Sequence, residues 1–153
     1  VWESFVDLAG RSAQRLGMSR SLGQVYAALY LSSRPLGLQD LMDQLHISKG
    51  NASMSVRQLA EWGAVRRVWV KGERKDFYEA EEQFRQVLQH FLGTIIEPRV
   101  KSTGSQLNEL MTEAQASARA GSTEGAFMRK RIAKMKSYQS RVARALPLLE
   151  KVL

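Results

Sequence analysis

The sequence predicts a mainly α fold with a small β-hairpin wing, and three observations carry that prediction. Apolar residues recur every three or four positions along both ends of the chain, as in amphipathic helices. After Gly63 the period falls to about two and the residues become β-branched and aromatic. Three helices precede this hairpin within roughly sixty residues, and helical sequence remains on either side.

The first helix aligns Trp2, Phe5, Val6, Ala9, Ala13 and Leu16 and ends near Gly17. Ser19 is the N-cap of a second, which aligns Leu22, Val25, Tyr26, Leu29 and Tyr30 until Ser32 to Pro35 stop it. A short helix from Leu38 to Leu45 buries Leu38, Leu41, Met42 and Leu45. Then comes "HISKGNASMSVRQLAEWGAVRRV", whose middle is almost without bulk. Ser48 caps its helix, Ile47 staples it to the core, and Lys49 and Gly50 open it. Ala52, Val56, Leu59 and Ala60 face the earlier helices, while Asn51, Ser53, Met54, Arg57 and Gln58 lie on or beside the opposite side. Gly63 turns the chain into strands over Val65 to Val70 and Asp76 to Ala80, joined by a tip from Lys71 to Lys75.

From Glu81 the helical period returns, with Phe84, Val87, Leu88, Phe91, Leu92, Ile95 and Ile96 on one face. Pro98 predicts a kink or break near Glu97. The small and polar run Ser117 to Ala126 reads as a linker, and a last helix is expected from about Phe127. Met128, Ile132, Met135, Val142, Leu146, Leu149 and Leu153 form a 4-3 seam interrupted by Gln139, and Pro147 should bend its final turns.

A formal charge of +8 and a pI near 10.1 favour an acidic partner. The absence of cysteine excludes disulfides and thiolate metal sites and fits a cytoplasmic setting. The two histidines, His46 and His90, fall in different elements, and no phosphate-cradling glycine pattern is present. Glu81 with Glu82, and Asp40 with Asp43, lie on polar helical faces. No enzyme, metal or cofactor is therefore expected. No apolar run reaches the roughly 18 residues of a membrane span, and the N-terminus lacks the pattern of a secretion signal.

The order of helices, hairpin and charged tip is that of a winged helix-turn-helix, in which the third helix enters the DNA major groove. Small residues at its start let the backbone approach DNA, and its first-turn amides favour a phosphate oxygen. The candidate DNA contacts are Ser48, Lys49, Gly50, Asn51, Ser53, Met54, Arg57 and Gln58 on the helix and Lys71, Arg74 and Lys75 on the wing. Arg57 can read guanine, Asn51 adenine, and the Met54 methyl thymine. Arg66 joins Lys49 and the wing cations as a phosphate contact. The chain thus divides into an N-terminal dimerisation helix (1–17), a winged helix-turn-helix DNA-binding domain (18–81) and a C-terminal helical dimerisation region (82–153). One rival is a membrane-surface or protein-interaction module built on the basic last helix, with Arg129, Lys130, Arg131, Lys134, Lys136, Arg141 and Arg144. Its heptad seam suits a partner helix better than lipid.

Residues Gly17 to Glu81 resemble the MarR superfamily of transcriptional regulators, especially its GbsR-type branch. The most specific parts are "ISKGNASMSVRQLAEWGAV" and "KGERKDFYEAE". The resemblance implies a homodimeric repressor, joined through its N- and C-terminal helices, whose paired wings span a pseudo-palindromic site on double-stranded DNA. Some GbsR-type members also respond to a small-molecule effector, a quaternary ammonium osmolyte. Such a cation needs an aromatic cage, and Trp2, Phe5, Tyr26, Tyr30, Phe84, Phe91, Phe127 and Tyr138 all sit where core packing accounts for them. That ligand is not carried over.

Overall fold

Serine side chains cap three of the helices. In the computed structural model, which describes residues 1–153, helix α1 spans Trp2–Arg15 and α2 spans Arg20–Tyr30. The Ser19 hydroxyl accepts the Leu22 amide at 3.2 Å and so satisfies a donor at the start of α2. Strand β1 is Leu36–Gly37, followed directly by α3, Leu38–Leu45. Helix α4, Lys49–Glu61, ends in two reversed bonds, Gly63 N–H to the Ala60 carbonyl and Ala64 N–H to the Leu59 carbonyl. That closure needs Gly63 at φ 69°, a conformation glycine adopts without strain.

Strands β2, Val65–Val68, and β3, Phe77–Ala80, pair antiparallel with Val65 opposite Ala80 and Val68 opposite Phe77. On the other edge of β3, Leu36 pairs with Tyr78, giving the order β1-β3-β2. The sheet therefore has a third strand beyond the two expected from the sequence, too short at two residues to display an alternation.

The chain forms two compact units, Val1–Val87 and Leu88–Leu153. The core of the first gathers Val6, Leu22, Val25, Leu29, Leu36, Leu41, Leu45, Val56, Leu59 and Val65. Helix α1 packs on α2 at Gly23, where an added methyl would collide with the Ala9 backbone. The half-buried Tyr26 hydroxyl donates to the Glu81 carbonyl at 3.3 Å. Burial, with Tyr30 and Glu81 nearby, pushes its pKa up to about 12.

Helix α5, Phe84–His90, continues into a π-helical segment, Phe91–Ile96, and then α6, Glu97–Arg119. The expected interruption at Pro98 takes this form: a wider turn precedes the proline, which sits in the first turn of α6 where its missing N–H costs least. The expected linker shrinks to three residues, since α6 runs to Arg119 and α7 spans Thr123–Val152. Ser122, whose hydroxyl accepts the Gly125 amide at 2.9 Å, starts α7 four residues before Phe127. Small residues near this turn do not loosen it. Gly125 is buried because α7 lies against Ser117 and Ala118 of α6.

The expected seam of α7 divides between two faces. Leu146 is buried and Ile132 half-buried within the second unit, and Gln139 lies on their side, where its amide donates to the Val100 carbonyl at 2.8 Å. Gln139 fits there because Gly104 has no side chain. Met128, Met135, Val142 and Leu149, seven residues apart, are exposed instead. The polar interruption is thus a packed residue, and the apolar stripe beside it is unpartnered in the single chain.

Candidate nucleic-acid interface

His46 adopts the left-handed conformation, φ 53°, and redirects the chain from α3 to α4. Ile47 packs on the core, and the Ser48 hydroxyl accepts the Asn51 amide at 3.1 Å. Helix α4 therefore begins at a fixed point, with its other first-turn amides available to an anion.

The helical period divides α4 cleanly. Ala52, Ser55, Val56 and Leu59 are buried, whereas Lys49, Gly50, Asn51, Met54, Arg57 and Gln58 are exposed and Ser53 is half-buried. One expectation is corrected here: Ala60 is exposed and Ser55 takes its place inside. The inward face follows 52, 55/56 and 59, and Ala60 falls one step past it. Met54 is 68% exposed, so its thioether points outward with the polar side chains. A methyl added at Gly50 would approach nothing nearer than the Ser48 hydroxyl oxygen, 3.9 Å away, so internal packing does not require glycine there.

The wing is a short ladder with a formed corner. Glu73 N–H donates to the Val70 carbonyl at 3.1 Å, and Gly72 has φ 83°. That pattern is a type II turn with Lys71 and Gly72 at its tip. Arg66, expected among the phosphate contacts, is committed elsewhere. Its Nε donates to Glu79 at 2.7 Å and an Nη to Glu81 at 3.2 Å, and this pairing raises its pKa further. Arg67 faces Asp76 at 3.6 Å. Lys49, Arg57, Lys71, Arg74 and Lys75 stand outside the ion pairs of this unit. Their charge is not neutralised by a neighbouring carboxylate, which suits an external polyanion.

One wing residue escaped the sequence reading. Trp69, just beyond the β2 ladder, is 80% exposed. Alternation gave no signal for it: counted by twos from the buried Val65, Trp69 falls in the inward phase, but it lies past the last paired residue, where the ladder no longer fixes the face.

The aromatic residues also depart from expectation. Trp2, Tyr26 and Phe91 are half-buried, but Phe5, Tyr30, Phe84, Phe127 and Tyr138 are exposed. Core packing therefore fails to explain those five: they lie on helical faces turned away from the cores of their own units. Phe5 stacks on Tyr30 with centroids 6.4 Å apart, and Tyr30 lies 5.7 Å from Tyr26, so these rings cover one another rather than enclose a cation. A hollow of about 180 Å³ lined by Tyr30, Arg34, Arg66, Glu79 and Glu82 is smaller than the roughly 300–1,000 Å³ of most ligand pockets. No group of three or more His, Asp or Glu side chains is placed to hold a metal ion. No helix is long and apolar enough to cross a membrane.

No protein-family model matches the chain. It is similar to three helix-turn-helix proteins of Bacillus subtilis (strain 168). The HTH-type transcriptional regulator YvaV is 29% identical over 84 residues, which are 55% of this chain and 48% of that protein. The HTH-type transcriptional repressor OpcR is 27% identical over 84 residues, 55% of this chain and 45% of that one. The HTH-type transcriptional repressor GbsR is 24% identical over 110 residues, 72% of this chain and 61% of that one. The chain thus spans about half the length of the first two relatives. A crystal structure described as that of a transcriptional regulator has a TM-score of 0.56 at 19% identity, covering 98% of both chains. That likeness supports the winged helical fold, and the three relatives agree with the GbsR-type resemblance of the sequence.

Proposed function

We propose that the chain is a sequence-specific double-stranded DNA-binding transcriptional regulator that acts as a repressor and works as a homodimer. The observation that carries this reading lies in the first unit, where α4 turns polar side chains outward and the wing bears cations without ion-pair partners. Asn51, Met54, Arg57 and Gln58 read base edges in the major groove. Lys49, Lys71, Arg74 and Lys75 hold phosphates, and Ser48, Gly50 and Ser53 keep the backbone close. Two relatives named as repressors favour that direction of regulation.

The second copy rests on apolar surface that one chain leaves open. Phe5, Leu8, Leu16, Tyr30 and Leu31 are exposed on and beside α1 and α2, and Met128, Met135, Val142 and Leu149 on α7. Such stripes suit burial against another protomer. A small-molecule effector remains an implication of the family resemblance, without a residue assigned to it.

Selection from a random duplex pool tests the proposal. The purified chain should enrich one pseudo-palindromic sequence, and its affinity should fall by orders of magnitude between about 50 and 200 mM salt. Retention of DNA without sequence enrichment would remove base reading from the proposal. A flat salt response would remove phosphate neutralisation.

A further inference from the structure

We propose that Trp69 is a non-ionic DNA-contacting residue, whose indole packs on the sugar-phosphate wall of the duplex groove entered by the wing. The inference deepens the DNA-binding reading and rests on it. Strand pairing ends at Val68 opposite Phe77, so Trp69 is the first residue of the wing loop beyond the ladder. Its 80% exposure is the greatest among the aromatic residues with large open surfaces. Arg131 on Phe127 and Arg141 on Tyr138 form cation–π contacts, and Phe5, Tyr30 and Tyr26 lie ring against ring. Neither set includes Trp69, although Arg74 and Lys75 lie in the same loop.

The surroundings identify the occupant. Lys71 is at the tip of a hydrogen-bonded turn two residues after Trp69, and Arg74 and Lys75 follow within the exposed loop. A loop that carries an exposed apolar plate together with three cations outside any ion pair matches the surface of a duplex, whose phosphates alternate with apolar deoxyribose faces. An apolar protein partner would meet the charges of Lys71, Arg74 and Lys75 unpaired. The indole supplies apolar burial and an N–H donor while adding no charge.

That absence of charge makes the contact separable from its neighbours. Trp69→Ala should weaken binding of a random-sequence 30-base-pair duplex about tenfold at every salt concentration, leaving the salt slope unchanged. Trp69→Phe should recover part of the loss. In the unmodified chain, duplex should shield the most quenchable tryptophan emission from acrylamide, and that component should be missing from Trp69→Phe. Affinity within twofold of the parent for Trp69→Ala, or unshielded emission in a saturated complex, would overturn the inference while the DNA-binding reading stands. A loss confined to single-stranded DNA would overturn it too, because it assigns the indole to unpaired bases. Failure of the parent chain to bind duplex at about 50 mM salt would remove both.

Discussion

Arg57 lies about two turns into α4, exposed and on the side opposite Val56 and Leu59. Lys71 is at the wing corner. These positions suit reading and holding respectively, and the two functions respond differently to substitution. Arg57→Ala should cost about 1–3 kcal/mol on the selected duplex and much less on a scrambled one. Lys71→Ala should weaken both by similar factors and shallow the salt slope. Titration of both variants against both duplexes checks this, and equal losses for Arg57→Ala would make it a backbone contact. The outward set on α4 was legible in the sequence because 3.6-residue periodicity fixes a helix face once its inward residues are known. The exchange of Ala60 for Ser55 was not legible, since both are small enough for either side of that boundary. The pairing of Arg66 with Glu79 depended on strand register, which the uncertain length of the loop left open.

At the scale of elements, short contacts decide which ends are firm. The Asp40 carboxylate accepts the Gly37 amide at 2.9 Å and faces Arg34 at 3.2 Å, linking α3 to the end of β1. The backbone bond, aided by Arg34, holds its pKa below the ordinary carboxylate value. A depressed folded pKa contributes stability that is present above the unfolded value and lost as pH falls through the folded one. Asp40→Asn should therefore lower stability at pH 7 by about 1 kcal/mol. In paired denaturant melts, the gap between parent and variant should close below about pH 4. Between α1 and α2 the firm point is Gly23, whose added methyl would also lie 2.9 Å from the Ala13 methyl. Gly23→Ala should destabilise by about 1–3 kcal/mol despite its better helix propensity, because a backbone carbonyl cannot step aside. Thermal melts measure it. Ser122, the cap of α7, falls inside the small and polar run that reads as a linker. The Ser19 and Ser48 caps and the Gly63 turn were readable because serine and glycine act locally. The two-residue β1 was not, because its partner, β3, lies some forty positions away in sequence.

For the whole molecule, the open question in the sequence was which apolar residues serve the chain's own cores and which serve another chain. Periodicity marks both alike, so Ile132 and Met135 appeared as members of one seam. Packing distinguishes them: Ile132 is half-buried, while Met135 is 61% exposed. The same distinction separates Val6 from Phe5 on α1. If the exposed stripe on α7 joins two copies, Met135→Glu with Val142→Glu should leave each unit folded and shift the species towards 17.3 kDa. Sedimentation equilibrium at micromolar concentration measures the change, and circular dichroism confirms helicity. An unaltered dimer would assign the contact to other surface.

Gly50 stands in the first turn of α4 with open space where its side chain would be. A helix interior generally favours alanine over glycine by about 0.5–1 kcal/mol, and neither a positive φ nor a crowded neighbour opposes the exchange here. Gly50→Ala is therefore expected to stabilise the free protein. The variant should melt about 2 °C higher and, if α4 approaches DNA as proposed, hold its selected duplex more weakly, because the methyl would project into that approach. Stability and affinity would then be opposing selective demands on a single carbon atom, and a stabilising screen of this protein would favour the variant that regulates least well.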